Sequence, residues 1–343
     1  MIAQSFYIGD ITPAQYDARL SEGWFRDCMM MYRSDLVVMQ GELFQVVHIR
    51  VPLDGFRFRK SQRKIMRRVE QRFRVEVKTP EITEDHTRLY AGHMHHFRGF
   101  VHSRIEDILY RPEYDRIHLR EIAVFDGSRL VATSYFDSGI SGMASLLGLY
   151  DREYASWSLG YYTMLREIQW GMENAVQWYY PGYLFDLPSE FDYKLRLGPV
   201  ETMVEPGLWT SGFWRPGHSR AGFDIRQATQ VLASFLTERR LPHTKRFYPY
   251  FAAIRMMNLE DRLFSLPVFY ELMDGDVRYA ACYDPLHQRF LLHQVEEAME
   301  FESLISMPLS KEYTTNPVYE TKLIKVTSTV PLFPGMLPCD QLS

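Results

Sequence analysis

The run HLREIAVF-DGS-RLVATSYF constrains this chain more than any other segment, because polarity alternates on both sides of an Asp126-Gly127 turn signal. Such a pair accepts the positive-φ geometry of a tight turn, so two adjacent antiparallel strands are predicted. A third strand follows SGISG at Ala144–Tyr150. A helix is predicted from about Ser158 to Glu173, and an aromatic strand over Val176–Tyr183. Meander, helix and returning strand together predict an α+β layer with one face covered.

The flanks are of mixed character. A short helix is expected near Pro13–Glu22, with strands from Met29 and Phe44 and a stop at Pro52 and Asp54-Gly55. Ser61 is placed to cap a helix from Gln62, whose apolar stripe is Ile65, Met66, Val69 and Phe73. A second helix is expected from Thr83 towards His96. After Pro206 the pattern restarts, with a helix over Ile225–Glu238 and short strands over Val268–Leu292 turning at Asp274-Gly275 and Asp284-Pro285. Pro317, Pro331, Pro334 and Pro338 read as a loose tail. The division expected is a basic amino-terminal domain (1–95), a central domain (96–205) and a carboxy-terminal α+β extension (206–343).

With 46% hydrophobic and 24% charged residues, a disordered or fibrous chain is excluded. No basic start followed by an apolar run opens the sequence, and no stretch approaches membrane-spanning length. Cys28, Cys282 and Cys339 are scattered and odd in number, which suits a reducing cytoplasm and no disulfide or cysteine-metal framework. His93, His95 and His96, with His86 and His102 nearby, invite a metal reading. On one helix, however, 93 and 96 can share a face and 95 cannot, so no metal and no cofactor is expected.

The net charge of -4 conceals an asymmetry, for residues 1–110 carry +3 and the remainder -7. Most of the excess lies in Arg57–Arg74, where Arg57, Arg59, Lys60, Arg63, Lys64, Arg67, Arg68, Arg72 and Arg74 face one acid, Glu70. On a helix, Arg63 stacks on Arg67 and Lys64 on Arg68, an arrangement that a polyanion relieves. A solvated helix face is the plain alternative; the density of charge points to nucleic acid, without saying which.

The order of meander, helix and strand resembles the GNAT acyltransferase layout, in which the strands before and after the long helix splay and the donor lies in the gap. The helix start here is Tyr154–Gly160. It lacks the Gly-rich pyrophosphate loop of coenzyme A users, which disfavours a small-molecule N-acyltransferase. Ser158 and Gly160 alone read as an ordinary cap and a close packing point.

The fragments RLVATSYFD, SLLGLYD, SLGYYTMLREI and WYYPGY, ending at Tyr193-Lys194, resemble the C-terminal domain of arginyl-tRNA–protein transferases and of the bacterial aspartate/glutamate leucyltransferases. Upstream, Gly23-Trp24-Phe25-Arg26, Tyr32-Arg33, Arg50–Pro52 and Ser61-Gln62-Arg63-Lys64 with Arg67-Arg68 resemble the same family in the same order. The resemblance implies a two-part GNAT-like fold. It also implies transfer of an amino acid from aminoacyl-tRNA to a protein's N-terminal amine, converting an N-terminal acid into a degradation signal. The positions carried over are Arg63, Lys64, Arg67, Asp137, Tyr150, Ser158, Gly160, Tyr183, Tyr193 and Lys194. The family's cysteines have no counterpart in Met39–Gln45, and Glu190 stands where many relatives place a lysine. Residues 206–343 have no recognised counterpart and would select substrates or form an oligomer surface; oligomeric state is not encoded in these features.

That chemistry assigns expected roles. Arg57, Arg59, Lys60, Arg63, Lys64, Arg67 and Arg68 would hold tRNA. Asp137 would take the amine proton, its alternative being a cap on the SGISG turn. Tyr150 or Ser158 would donate to the oxyanion or the leaving ribose oxygen. Gly160, Tyr183, Tyr193 and Lys194 would line the substrate site, with Lys194 or Arg196 meeting an acidic acceptor. Among Trp157, Tyr161, Tyr162, Trp170, Trp178, Tyr179 and Tyr180, mostly core, one or two would stack the terminal adenine. Arginine stands slightly ahead of leucine as the donated residue, and the competing reading is a non-catalytic tRNA-binding protein.

Overall fold

A computed structural model describes residues 3–96, 102–112, 115–213, 220–303, 305 and 309–332. Strands β1 (Ala3–Tyr7), β2 (Phe25–Asp27) and β3 (Met30–Ser34) pair in the order β1-β3-β2. Between β1 and β2 lies α1 (Pro13–Ser21), capped reciprocally by Thr12 and Gln15 with Pro13 at its first position.

A larger mixed sheet begins with β4 (Leu36–Met39) and β5 (Glu42–Pro52), followed by α2 (Lys60–Glu70), β6 (Arg74–Lys78), α3 (Glu84–Met94) and α4 (Ile105–Leu109). The expected hairpin is β7 (His118–Asp126) and β8 (Arg129–Ser138), with Asp126 opposite Arg129 and Gly127 at φ 62°. Next come β9 (Gly142–Tyr150), α5 (Leu159–Glu173), β10 (Trp178–Tyr180), β11 (Tyr183–Phe185), β12 (Glu201–Glu205) and β13 (Leu208–Ser211). The strand order is β13-β12-β5-β10-β9-β8-β7-β6, with β4 and β11 also pairing β5. β6 and β7 flank the expected 95/96 boundary as hydrogen-bonded neighbours, so that boundary does not separate two sheets. The 205/206 boundary likewise falls within the β12–β13 pair.

Alternation along the strands explains the layers. Met66, Val69 and Phe73 from the α2 segment and Leu165 and Ile168 from α5 pack on Val51, Ile122, Val124 and Phe136. The opposite face meets α3 and α4 through Leu89, Tyr90, Ile105 and Leu109, against Ala123, Tyr135 and Leu149. Helix α2 starts two residues before the expected Gln62, and Ser61 does not cap it. The Gln62 side chain instead accepts the Arg59 amide at 2.7 Å, satisfying an N-terminal donor from inside the helix.

The chain ends in a five-stranded antiparallel sheet of β14 (Thr244–Phe247), β15 (Val268–Asp274), β16 (Val277–Asp284), β17 (Arg289–Glu297) and β18 (Ile324–Pro331). It packs with α6 (Arg220–Glu238) and α7 (Phe251–Met256); α8 (Lys311–Thr315) follows. The loose tail is therefore corrected over 324–331, where alternating residues complete the sheet beside β17; Pro334 and Pro338 lie outside the described residues. Leu36, Val38 and Leu43 from β4 and β5 enter this core beside Leu232, Leu236 and Phe264. Arg226 donates to Leu43 O at 2.7 Å and pairs with Asp186.

Asp17 joins α1 to the turn between β8 and β9, accepting the amides of Ile140, Ser141 and Gly142 at 3.0, 2.7 and 3.0 Å and the Ser141 hydroxyl at 3.0 Å. Asp17, not Asp137, caps the Ser138–Gly142 turn. Asp17→Ala strips these donors of their acceptor and is expected to cost roughly 2 kcal/mol, read as a lower melting temperature without loss of helix signal.

Candidate functional site

Strands β9 and β10 run parallel but pair at only three positions, Gly142–Trp178, Met143–Tyr179 and Ala144–Tyr180. Beyond them the strands part. Pro181 has no amide proton to give, and Gly182 at φ 89° turns the chain so that β11 pairs with β5, Tyr183 opposite His48. The single aromatic strand expected over Val176–Tyr183 is therefore two strands, and the break opens a wedge above the N-terminus of α5.

Three expected residues meet at the wedge's lip. The Tyr150 ring covers Gly160, where a Cβ would stand 3.2 Å from its Cδ1. Ser158 adopts left-handed geometry (φ 58°, ψ 40°) and its side chain makes no capping hydrogen bond, which corrects the ordinary-cap reading. The turn Glu190–Arg196, capped by Ser189, forms the other wall and brings Tyr193 and Lys194 to the site. Lys194 Nζ donates to Tyr183 O at 3.0 Å and sits 4.9 Å from the Phe191 ring and 5.5 Å from the Tyr183 ring. Among the described residues no carboxylate pairs with it, and burial lowers its pKa to about 7. Lys194 is thus no surface charge. Arg196 stacks on Tyr161 instead.

At the apex of the wedge lies Glu167, which the sequence reading passed over. It is fully buried, accepts the Tyr179 hydroxyl at 2.8 Å, and is pushed up to about 7 by burial, against the lowering effect of the Ser134, Tyr179 and Ser145 hydroxyls. Burial, with Glu167, Tyr150 and Glu190 adding, raises Tyr193 to about 12. The available signal was periodic: Glu167 occupies the stripe of Thr163, Met164, Ile168 and Gly171, an acid on a buried face.

Asp137 does not join this group, and its expected role as base is corrected. Ser134 and Phe136 face α5, whereas Asp137 faces away. It is buried against Arg111 at 3.0 Å and Arg26 at 3.7 Å, and both arginines also contact Asp115. Its carboxylate is engaged by these guanidinium groups on the sheet face opposite α5, away from the wedge.

Arg57, Arg59, Lys60, Arg63, Lys64, Arg67 and Arg68 are all exposed, and among the described residues none is paired with a carboxylate. Arg72 and Arg74 differ, pairing with Asp126 and Glu76. Arg68 lies 5.0 Å over Trp157 beside the start of α5. Gln62, 2% exposed, donates to Arg196 O at 3.0 Å and Leu197 O at 2.7 Å, binding this helix to the turn that carries Tyr193 and Lys194. An open groove of about 500 Å³ between α2 and α5 is lined by Arg63 and Arg67 with Phe58 and Met172. The histidines are dispersed: His86 meets Glu121 at 2.7 Å, His102 meets Asp27 at 2.9 Å and His96 meets Gly92 O at 2.9 Å.

Residues 76–204 match the family model described as arginine-tRNA-protein transferase, C terminus. An aspartate/glutamate leucyltransferase of Helicobacter hepaticus is 26% identical over 220 residues, covering 62% of this chain and 89% of that protein. One of Vibrio cholerae is 25% identical over 198 residues, covering 56% and 82%. The structure of L-PGS from Bacillus licheniformis shares 14% identity at a TM-score of 0.36, over 56% of this chain and 66% of that one. The sequence comparisons thus place the chain among aminoacyltransferases, and its architecture is mixed α/β. Within that class, residues 76–204 are similar to the C-terminal part of the arginyl-tRNA–protein transferase family. No described helix is long and apolar enough to cross a membrane.

The two perturbed groups impose opposite pH slopes on stability. Glu167 keeps its proton in the fold up to about pH 7 whereas the unfolded chain loses it near 4.5, so stability falls as pH rises through that window. Lys194 loses its proton near 7 when folded and near 10.5 when unfolded, so stability rises between those values. Glu167→Gln is expected to be more stable than the parent by roughly 3 kcal/mol above pH 7, the difference shrinking towards pH 4.5 in denaturant titrations.

Proposed function

We propose that this chain transfers an amino acid from aminoacyl-tRNA to the N-terminal α-amine of an acceptor protein, with the β9–β10 wedge as a GNAT-like reaction site. The observation that carries this reading is Gln62, which couples the exposed cationic helix directly to the turn bearing Tyr193 and Lys194. Arg57, Arg59, Lys60, Arg63, Lys64, Arg67 and Arg68 neutralise the phosphates of the acceptor arm, releasing counterions. Its single-stranded end follows the groove lined by Phe58 and Met172 towards the wedge.

Within the wedge the neutral amine attacks the ester carbonyl, and positioning supplies much of the rate because aminolysis of an ester is already favourable. The carbonyl oxygen gains charge during attack. Tyr150 and the unpaired amides of the first turn of α5 are placed to receive it. Lys194, buried and without an acid partner among the described residues, matches an acceptor with an N-terminal Asp or Glu. Leucine is the proposed donor residue, in keeping with the names of the relatives; arginine is the competing outcome. The product would carry a new N-terminal residue that marks the acceptor for degradation in the cytoplasm.

Incubating the protein with individually charged tRNAs and reporters starting in Asp, Glu or Ala is expected to label the acidic reporters from leucyl-tRNA. Labelling from arginyl-tRNA alone would reassign the donor; none from any tRNA would overturn the reading. Lys194→Met should reduce transfer to acidic reporters by about 100-fold, the scale of an unpaired buried charge. Arg63→Ala with Arg67→Ala should flatten the salt dependence of tRNA binding by about 1.5 in log–log slope and leave the melting curve in place.

A further inference from the structure

Helix α5 borders the open groove at its far end. Gln169, Met172 and Glu173 lie ten to fourteen residues beyond Leu159, hence roughly 15–21 Å along the axis from the wedge. Across from them stand Phe58, Arg63 and Arg67, and the space between is about 500 Å³. Phe58 is half-buried and Met172 exposed, so the groove is an apolar slot open to solvent. Its polar groups are sorted by side. On α5, Gln169 donates to Glu173 Oε1 at 2.8 Å and accepts Arg166, which leaves Glu173 Oε2 without a donor among the described residues. On α2, Arg63 donates to Phe58 O, which holds its guanidinium at the mouth of the slot. A carboxylate and two guanidinium groups thus face one groove, yet no ion pair joins them among the described residues. The slot presents an acceptor on one wall and donors on the other.

Resting on the aminoacyl-tRNA reading above, we propose that this groove reads one unpaired base of the tRNA 3′ end, upstream of the aminoacylated nucleotide, and selects cytosine over uracil. An unpaired base offers its faces and its Watson–Crick edge, which a duplex conceals. The faces lie between Phe58 and Met172, a contact that tolerates any base. Identity comes from the edge. Cytosine sets an amino donor beside ring acceptors, so the amino group meets Glu173 Oε2 and the acceptors meet Arg63 or Arg67. Uracil has a carbonyl where cytosine has the amino group, and that carbonyl would face the carboxylate. Guanine's two adjacent donors call for both carboxylate oxygens, and Oε1 is already taken by Gln169. Adenine also carries an amino donor, but the terminal adenosine bears the ester and belongs in the wedge. The cytidines before it are left for the groove, whose distance from the start of α5 suits an upstream nucleotide.

The test is equilibrium binding of tRNA to the full chain at low salt. Three altered tRNAs are compared with the intact one: each 3′ cytidine replaced in turn by uridine, and the unpaired end removed. The parent is expected to lose about 10-fold in affinity for at least one uridine tRNA, and to bind the truncated tRNA more weakly still. Glu173→Gln presents an amide donor where the carboxylate only accepts, so it should abolish or invert the preference for cytidine. Phe58→Ala should weaken intact tRNA by about 10-fold and leave truncated tRNA unaffected. Met172→Ala, at an exposed side chain and safe for folding, should show the same selective loss. Intact and truncated tRNA bound alike by the parent overturn the subsite. So does a uridine penalty that is absent from the parent or undiminished in Glu173→Gln, and so does a loss in Met172→Ala that is equal for truncated tRNA. A parent that binds no tRNA overturns the aminoacyl-tRNA reading instead, and the subsite with it.

Discussion

One buried amide sets the relation between the two functional surfaces. Gln62 accepts the Arg59 amide with its oxygen and gives its nitrogen to two successive carbonyls, Arg196 and Leu197, while Tyr161 closes on the first of them at 2.7 Å. Every polar group in this knot is used, which is what makes a buried amide tolerable. A helix end, the 190–196 turn and the start of α5 are held by one side chain, so the cations of α2 have a fixed bearing on Tyr193 and Lys194.

The distribution of ion pairs follows the same division of labour. Arg26, Arg111, Asp115 and Asp137 neutralise one another in the interior, tying β2, Arg111 and Asp115 to β8. Such clusters give little net stability relative to apolar packing but punish alternative arrangements, since losing one member strands another. Over Arg57–Arg68 the opposite choice holds: among the described residues seven cations are left without acids, five of them on α2, which keeps its own like-charge repulsion. Only Arg72 and Arg74, at the far end, are neutralised locally. The uncompensated stretch ends where the polypeptide returns to its own sheet.

Local features were legible in advance and non-local ones were not. The β7–β8 hairpin depends on Asp126-Gly127 and the alternation beside it, so it was readable; the exposed face of α2 depends on composition and a helical period. The wedge arises because Gly182 redirects the chain to β5, more than a hundred residues upstream, and no window containing WYYPGY records that partner. Asp137 was misread for the same reason, since its two arginines come from remote segments. Glu167 was visible in principle, as an acid on a buried stripe, but neighbouring apolar residues made the helix look purely structural. β18 was hidden by its terminal proline, which an edge strand accommodates because its amide side can face outward.

The sharing of Leu36, Val38 and Leu43 with the carboxy-terminal core has a consequence for biogenesis. Their partners, from Ile225 onward, are translated long after them, so on the ribosome the β4–β5 hairpin waits with its apolar side chains uncovered until that segment emerges. The reaction half cannot be closed early by local contacts, because Asp186, next to β11, is held by Arg226 from that late segment. The nascent chain therefore passes through a stage in which the large sheet can assemble while its β5 flank is still uncovered. A chain interrupted before residue 225 would lack every carboxy-terminal member of this core, leaving the β4–β5 surface exposed as a mark for quality control.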